Sequence, residues 1–352
     1  MPSLRSILIF PAFFLALSAS CLGVRAQESP APPPAPQDPF TSAVSGLKAQ
    51  DPMVRRRSAD ELGRWGTPAS IAPLTQTLAD ENPFVRSAAV DALGILRARE
   101  AVSKIAELLA KDPAPQVRQQ AAIALAYVGD SATEDALIAA LKDASDGVRF
   151  AATRTLGSLR SRKAIDPLAA ALKDPDAGMR RAAAAALGQI GAKESMAPLQ
   201  EALDDQDLHV RREALRAVGA MADAGSAAVF EKALKDSDAV IRLQAASALG
   251  RLGDFSGEAA VAALLKDGEA SIRMQAADVL GRIGGKDKAL PALLAALSSE
   301  QDQGVKGLLD LAAAQIKARL GIKDEPAKKP KPAAGEPVKA RAKKSPAKKS
   351  AP

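Results

Sequence analysis

The segment Val85-Arg86-Ser87-Ala88-Ala89-Val90-Asp91-Ala92-Leu93-Gly94 decides how the rest of the chain is read. Its apolar residues stand three and four apart, the spacing of one face of a helix. Two marks frame it, an apolar-Arg pair at the start and Leu-Gly at the end, and both return along the chain. The arginine recurs at Arg55, Arg86, Arg118, Arg149, Arg180, Arg211, Arg242 and Arg273, at intervals of 31, 32, 31, 31, 31, 31 and 31 residues. Lys306 takes a ninth place 33 residues further on. Leu-Gly follows as Leu62-Gly63, Leu93-Gly94, Leu156-Gly157, Leu187-Gly188, Leu249-Gly250 and Leu280-Gly281, with Leu125-Ala126 and Val218-Gly219 as variants. A period this regular identifies a solenoid, in which each unit buries its apolar stripe only against its neighbours.

Each period has room for two helices. The first reads like Ile165-Asp166-Pro167-Leu168-Ala169-Ala170-Ala171-Leu172, and Pro73, Pro167, Pro198 and Pro291 fall in its first turn, where a missing N–H costs nothing. The second is the apolar-Arg to Leu-Gly helix. Asp51, Asn82, Ser145, Asp176, Asp207 and Asp238 stand where its N-cap belongs, and Gly191, Gly253 and Gly284 where it closes. The prediction is an all-α chain of about nine helix pairs, roughly 70–90 Å long at about 8–10 Å per layer. Composition agrees: 47% of residues are apolar but only 3% aromatic, so the core is built from Ala, Leu, Val and Ile.

Residues 40–321 resemble HEAT repeats of the short type also found in phycobilisome lyases, through the apolar-Arg and Leu-Gly marks. An Asp six residues before the Arg strengthens the resemblance: Asp80 and Arg86, Asp112 and Arg118, Asp143 and Arg149, Asp174 and Arg180, Asp205 and Arg211, Asp236 and Arg242, Asp267 and Arg273. The resemblance implies a right-handed α-α superhelix in which these residues form a hydrogen-bonded ladder between repeats. The first repeat has Ala49 in place of the Asp, and the last pairs Glu300 with Lys306, as suits capping repeats.

The ends of the chain differ from this body. Residues 1–26 read as a secretory signal, with Arg5 before a short apolar run and Val24-Arg25-Ala26 before the cut. The alternative is a lipoprotein anchored through Cys21, the one cysteine. Residues 27–39 form a Pro-rich linker, and 322–352 a Lys/Pro/Ala-rich basic tail too poor in apolar residues to fold alone. That tail holds ten Lys/Arg and three Asp/Glu, so it accounts for the whole formal charge of +7. The expected location is periplasmic or extracellular.

Catalytic constellations are scarce. His209 is the sole histidine, which excludes a multi-histidine metal site and leaves a Ser-His-Asp triad nothing else to use. Ser45-Gly46-Leu47-Lys48 matches S-x-x-K without the accompanying motifs, and Gly281-Arg282-Ile283-Gly284-Gly285-Lys286 lacks phosphate-loop spacing. No cofactor, metal or small-molecule substrate is expected, and the chain reads as a non-catalytic scaffold. A bilin-lyase-like activity is the enzymatic alternative that the resemblance raises.

Positions one, five and nine after the frame Arg share one helix face and vary freely between repeats, so they are free to carry function. In the resembled family this face lines the concave side. Its middle holds Ile123, Tyr127, Phe150, Arg154, Arg181, Arg212 and Arg216. Arg and aromatic residues dominate binding hot spots, so the expected partner is an acidic or mixed-charge protein segment. The alternative is that Phe150 and Ile123 pack between repeats while the arginines pair with neighbours such as Glu213. The tail resembles those of linker histones, which implies contact with polyanions or nucleic acid; a plain solubilising extension is the other possibility.

Overall fold

The computed structural model describes residues 38–128 and 131–322. The signal, most of the Pro-rich linker, Cys21 and the basic tail lie outside them.

Eighteen α-helices follow one another among the described residues, without a strand. The first helices of the nine pairs are α1 (Pro39–Gly46), α3 (Ile71–Thr77), α5 (Val102–Lys111), α7 (Glu134–Ala140), α9 (Ile165–Ala171), α11 (Met196–Glu201), α13 (Ala227–Ala233), α15 (Glu258–Ala263) and α17 (Ala289–Ser299). The second helices are α2 (Pro52–Trp65), α4 (Pro83–Ile95), α6 (Pro115–Val128), α8 (Asp146–Ser158), α10 (Ala177–Ile190), α12 (Leu208–Met221), α14 (Ala239–Arg251), α16 (Ala270–Ile283) and α18 (Gln303–Leu320). Each second helix packs on the second helices before and after it, and each first helix packs on its own partner.

Local chemistry sets the helix ends. The carboxylates or amide oxygen of Asp51, Asn82, Asp176, Asp207 and Asp238 accept backbone N–H bonds from the first turn of their helices. Ser145 sits at the N-cap of α8 without such a side-chain bond. Gly191 and Gly253 close their helices with φ of 63° and 80°, in the left-handed region that glycine tolerates. Gly284 differs, with φ of −71°. What it supplies is space, because a Cβ there would lie 2.3 Å from Ala289 Cβ and 2.4 Å from the Leu280 carbonyl oxygen.

The second helices touch through small residues. At Gly63, Gly94, Gly157, Gly188 and Gly281 the glycine faces the residue six places after the frame Arg, or after Lys306, on the next helix, whereas Gly250 faces Ile283. A Cβ on Gly63 would lie 2.9 Å from Ala92 Cα, one on Gly157 2.8 Å from Ala186 Cα, and one on Gly188 2.6 Å from Ala217 Cβ. This contact explains why the mark is Leu-Gly. The Leu is fully buried in the core and the Gly admits the neighbouring backbone. At α6 and α8 the pair is Ala126 and Thr155, with a side chain on both partners. Thr155 Oγ1 donates to the Ala122 carbonyl at 2.8 Å across that joint. The core is aliphatic as expected, apart from a fully buried Phe230.

The crossing generates a paired prediction. Gly188→Val forces α10 from α12 and lowers stability by about 1–3 kcal/mol. Gly307→Ala, in the interior of α18 with open space around its Cβ position, raises it by about 0.5–1 kcal/mol. Chemical denaturation of the two variants beside the parent checks both signs.

Candidate partner-binding face

The frame arginines form the scaffold under the candidate site. Each uses one Nη1 on its own repeat, where Arg86 donates to the Asp80 carbonyl oxygen at 2.8 Å. The same bond joins Arg118 to Asp112, Arg149 to Asp143, Arg180 to Asp174, Arg211 to Asp205, Arg242 to Asp236 and Arg273 to Asp267. The Asp six residues before an Arg therefore meets it through its backbone. Ala49 serves Arg55 equally well for that reason.

The carboxylates point the other way, to the preceding repeat. Nε and Nη2 of Arg55 grip Asp80 at 2.7 and 2.9 Å, and Arg86 grips Asp112 at 2.7 and 2.8 Å. The bidentate rung recurs from Arg118 to Asp143, Arg180 to Asp205, Arg211 to Asp236 and Arg273 to Glu300. Each planar fork thus ties a loop carbonyl of one repeat to a carboxylate of the next. Two rungs differ. Arg149 turns to Asp146 on its own helix, and Arg242 bonds the carbonyls of Asp236 and Ser237. Asp174 and Asp267 accept the backbone N–H of Asp176 and Glu269.

Above this frame lies the face one, five and nine residues after each Arg. Through the first eight repeats it carries eight arginines and three aspartates, although the body between residues 27 and 321 has slightly more acid than base. Clefts open on it between consecutive second helices. The one between α6 and α8 has a volume of about 500 Å³ and is lined by Gln119, Ile123, Ala126, Tyr127 and, across it, Phe150, Arg154, Thr155 and Ser158. Four of the seven residues named from sequence meet there: Ile123, Tyr127, Phe150 and Arg154. Ile123 and Phe150 are half-buried, and Tyr127 is 55% exposed. The Phe150 ring reaches toward α10, within 3.2 Å of where a Gly178 Cβ would be.

The remaining three separate. Arg181 on α10 is exposed and, like Arg154, has no ion pair among the described residues. Arg212 is held by Asp238 of the next repeat at 3.0 and 2.7 Å. Arg216 pairs with Glu213 on its own helix. The cleft above Arg216, between α12 and α14, has about 450 Å³ and is lined by small and polar residues with Leu215. The cleft between α2 and α4 has about 400 Å³ and exposes Asp60, Arg64, Asp91 and Ile95. There, burial and then the charge of Asp60 push the Asp91 carboxyl up from its ordinary value.

Sequence reasoning left out Gln119, Ala126, Thr155 and Ser158. The signal was present, since Gln119 and Ser158 stand one and nine places after a frame Arg, Ala126 breaks the Leu-Gly mark and Thr155 stands where six other repeats have Ala. His209 is exposed at the start of α12. Among the described residues no group of three His, Cys, Asp or Glu is placed to hold a metal, and no helix is long and apolar enough to cross a membrane.

The family described as HEAT repeats matches residues 41–126, 102–185, 165–250 and 227–312. The chain belongs to the HEAT-repeat family. Repeats of this kind generally bind proteins, and the chain is a scaffold of that class. No curated protein matches it in sequence. The solved structure of YibA from Escherichia coli is 20% identical, covers 77% of this chain and 98% of its own, and gives a TM-score of 0.53. An engineered protein is 22% identical over 80% of this chain and 91% of its own, with a TM-score of 0.44. The complex of CpcE and CpcF of phycocyanin lyase from Nostoc sp. PCC7120 is 26% identical over 64% and 91%, with a TM-score of 0.41. The likeness to YibA is one of fold.

Two predictions follow the ladder. Arg180→Ala removes a bidentate rung and lowers stability by about 1–3 kcal/mol, whereas Arg242→Ala, which leaves no carboxylate unpaired, costs less; denaturant midpoints rank them. The second concerns acid. The Arg273 guanidinium and backbone N–H groups hold the Glu300 carboxyl down from 4.5 to about 2. Bonds from Arg118 and Arg180, opposed by burial, hold Asp143 and Asp205 below the ordinary 3.8. Depressed values mean that the unfolded chain takes up more protons on acidification. Their contribution is therefore complete above the ordinary carboxylate range and is lost as pH falls toward about 2. Thermal melts across that window should show the decline, and Glu300→Gln should shrink it.

Proposed function

We propose that this protein is an exported, non-catalytic scaffold of the bacterial envelope or periplasm that captures an acidic or mixed-charge protein segment on the face of its second helices. One observation carries the reading: Ile123, Tyr127 and Phe150 surround a cleft that Arg154 also lines, with Arg181 on the next helix, α10, and neither cation has a carboxylate of its own. An arginine already paired must break that pair to bind a partner; these two need not. Export rests on the leader at residues 1–26, cleaved after Ala26, with lipidation at Cys21 as the alternative anchor. The absence of a motif for nucleophilic or acid–base chemistry favours a scaffold over a bilin-lyase-like enzyme. The basic tail, at net +7, adds contact with polyanions of the cell envelope.

Arg212, held by Asp238, is a poor site for a charge test because its reversal would break a structural pair. The test is therefore Arg154→Glu with Arg181→Glu. Crosslinking in the protein's own cells, followed by mass spectrometry, should identify a partner with parent protein and lose it with the double variant at unchanged helicity. The same spectra should give a mature N-terminus at Gln27. Truncation after Gly321 should leave that capture intact and remove salt-sensitive binding to polyanions. Equal capture by parent and double variant would overturn the reading of the face.

A further inference from the structure

We propose that the α6–α8 cleft takes one bulky apolar side chain of an extended acidic segment, whose carboxylates follow at one or two and about four positions along. This rests on the reading of the second-helix face given above, and it adds a motif and a register.

The anchor comes from the cleft. Three clefts of similar size open on this face, and the one between α6 and α8 is walled by an aliphatic and two aromatic side chains. About 500 Å³ lies within the roughly 300–1,000 Å³ of pockets that enclose organic groups. The cleft falls at the joint where Ala126 and Thr155 replace the Gly–Ala crossing. An exposed Tyr127 and half-buried Phe150 leave apolar surface facing solvent there. Burial of a Leu, Ile or Phe side chain would remove that surface from water.

The register comes from helix spacing. Second helices pack about 8–10 Å apart, and an extended chain advances roughly 3.3 Å per residue. From the middle of the cleft, Arg154 on α8 lies about half a helix spacing away, or one to two residues. Arg181 on α10 lies about one and a half spacings away, or about four residues. Both guanidiniums are exposed and without an ion pair among the described residues, so each offers a full fork to a carboxylate. Beyond α10 the same path meets Arg212 and Arg216, already occupied by Asp238 and Glu213, so the motif ends at Arg181. The partner is thus a linear protein segment of the form apolar, then acid at one or two, then acid near four.

The test is selection of phage-displayed random dodecapeptides on the full-length protein. Counter-selection on the full-length Arg154→Glu, Arg181→Glu variant removes peptides held by the basic tail. The expected outcome is enrichment of a bulky apolar residue followed by Asp or Glu at the stated spacing. Binding of the selected peptides should fall at least tenfold with Tyr127→Ser or Ile123→Ser, both at surface or half-buried positions. Enrichment of acidic peptides with no apolar anchor, or binding indifferent to Tyr127 and Ile123, overturns this inference and leaves the broader reading standing. Failure to enrich acidic peptides at all overturns both.

Discussion

Close approach of successive second helices is the constraint on which the rest of the molecule depends. At five of the eight joints a glycine on one helix admits an alanine of the next, and each helix buries its Leu, Val and Ala stripe against the layer before and the layer after. Single repeats have no core of their own; the fully buried side chains form continuous clusters that run from repeat to repeat. The arginine rungs sit on this stack and fix the relative position of adjacent layers through directional bonds. Dispersion and burial supply cohesion, while the guanidinium forks supply register.

This division of labour leaves much of one helix face free of the fold. The residues one, five and nine places after each frame Arg take no part in the Gly–Ala crossing or the frame-Arg ladder, although Leu243 is buried in the core and Arg212 is tied to Asp238 of the next repeat. Where the crossing follows the rule, as at Gly63 and Ala92, the cleft above is lined by charged and small residues with Ile95 and has no aromatic side chain. Where it departs from the rule, at Ala126 and Thr155, aromatic and aliphatic groups collect. A departure in the frame and an accumulation of binding-type side chains thus coincide in one joint.

Much of this was legible before any coordinates. The 31-residue period gave the helix pairs and the polar residues before each second helix gave its start. What periodicity hides is direction. With so regular a repeat, a carboxylate six residues before its own Arg and one twenty-five residues after the preceding Arg are the same residue, and spacing cannot say which guanidinium it faces. Side-chain reach decides, and it selects the preceding repeat for the carboxylate and the local one for the carbonyl. The same difficulty applied to the arginines of the variable face. Arg154, Arg181, Arg212 and Arg216 look alike in a column. They separate because Asp238 and Glu213 lie within reach of two of them.

Those four arginines and the ladder beneath belong to two electrostatic populations. The rungs are largely shielded from solvent, with side chains such as those of Arg55 and Arg180 only 8% exposed. Mobile ions reach them poorly. Arg154 and Arg181 stand in water, where a Debye length of about 8 Å at physiological ionic strength governs their field. Ionic strength therefore acts as a dial on attraction at the surface while the architecture underneath stays deaf to it.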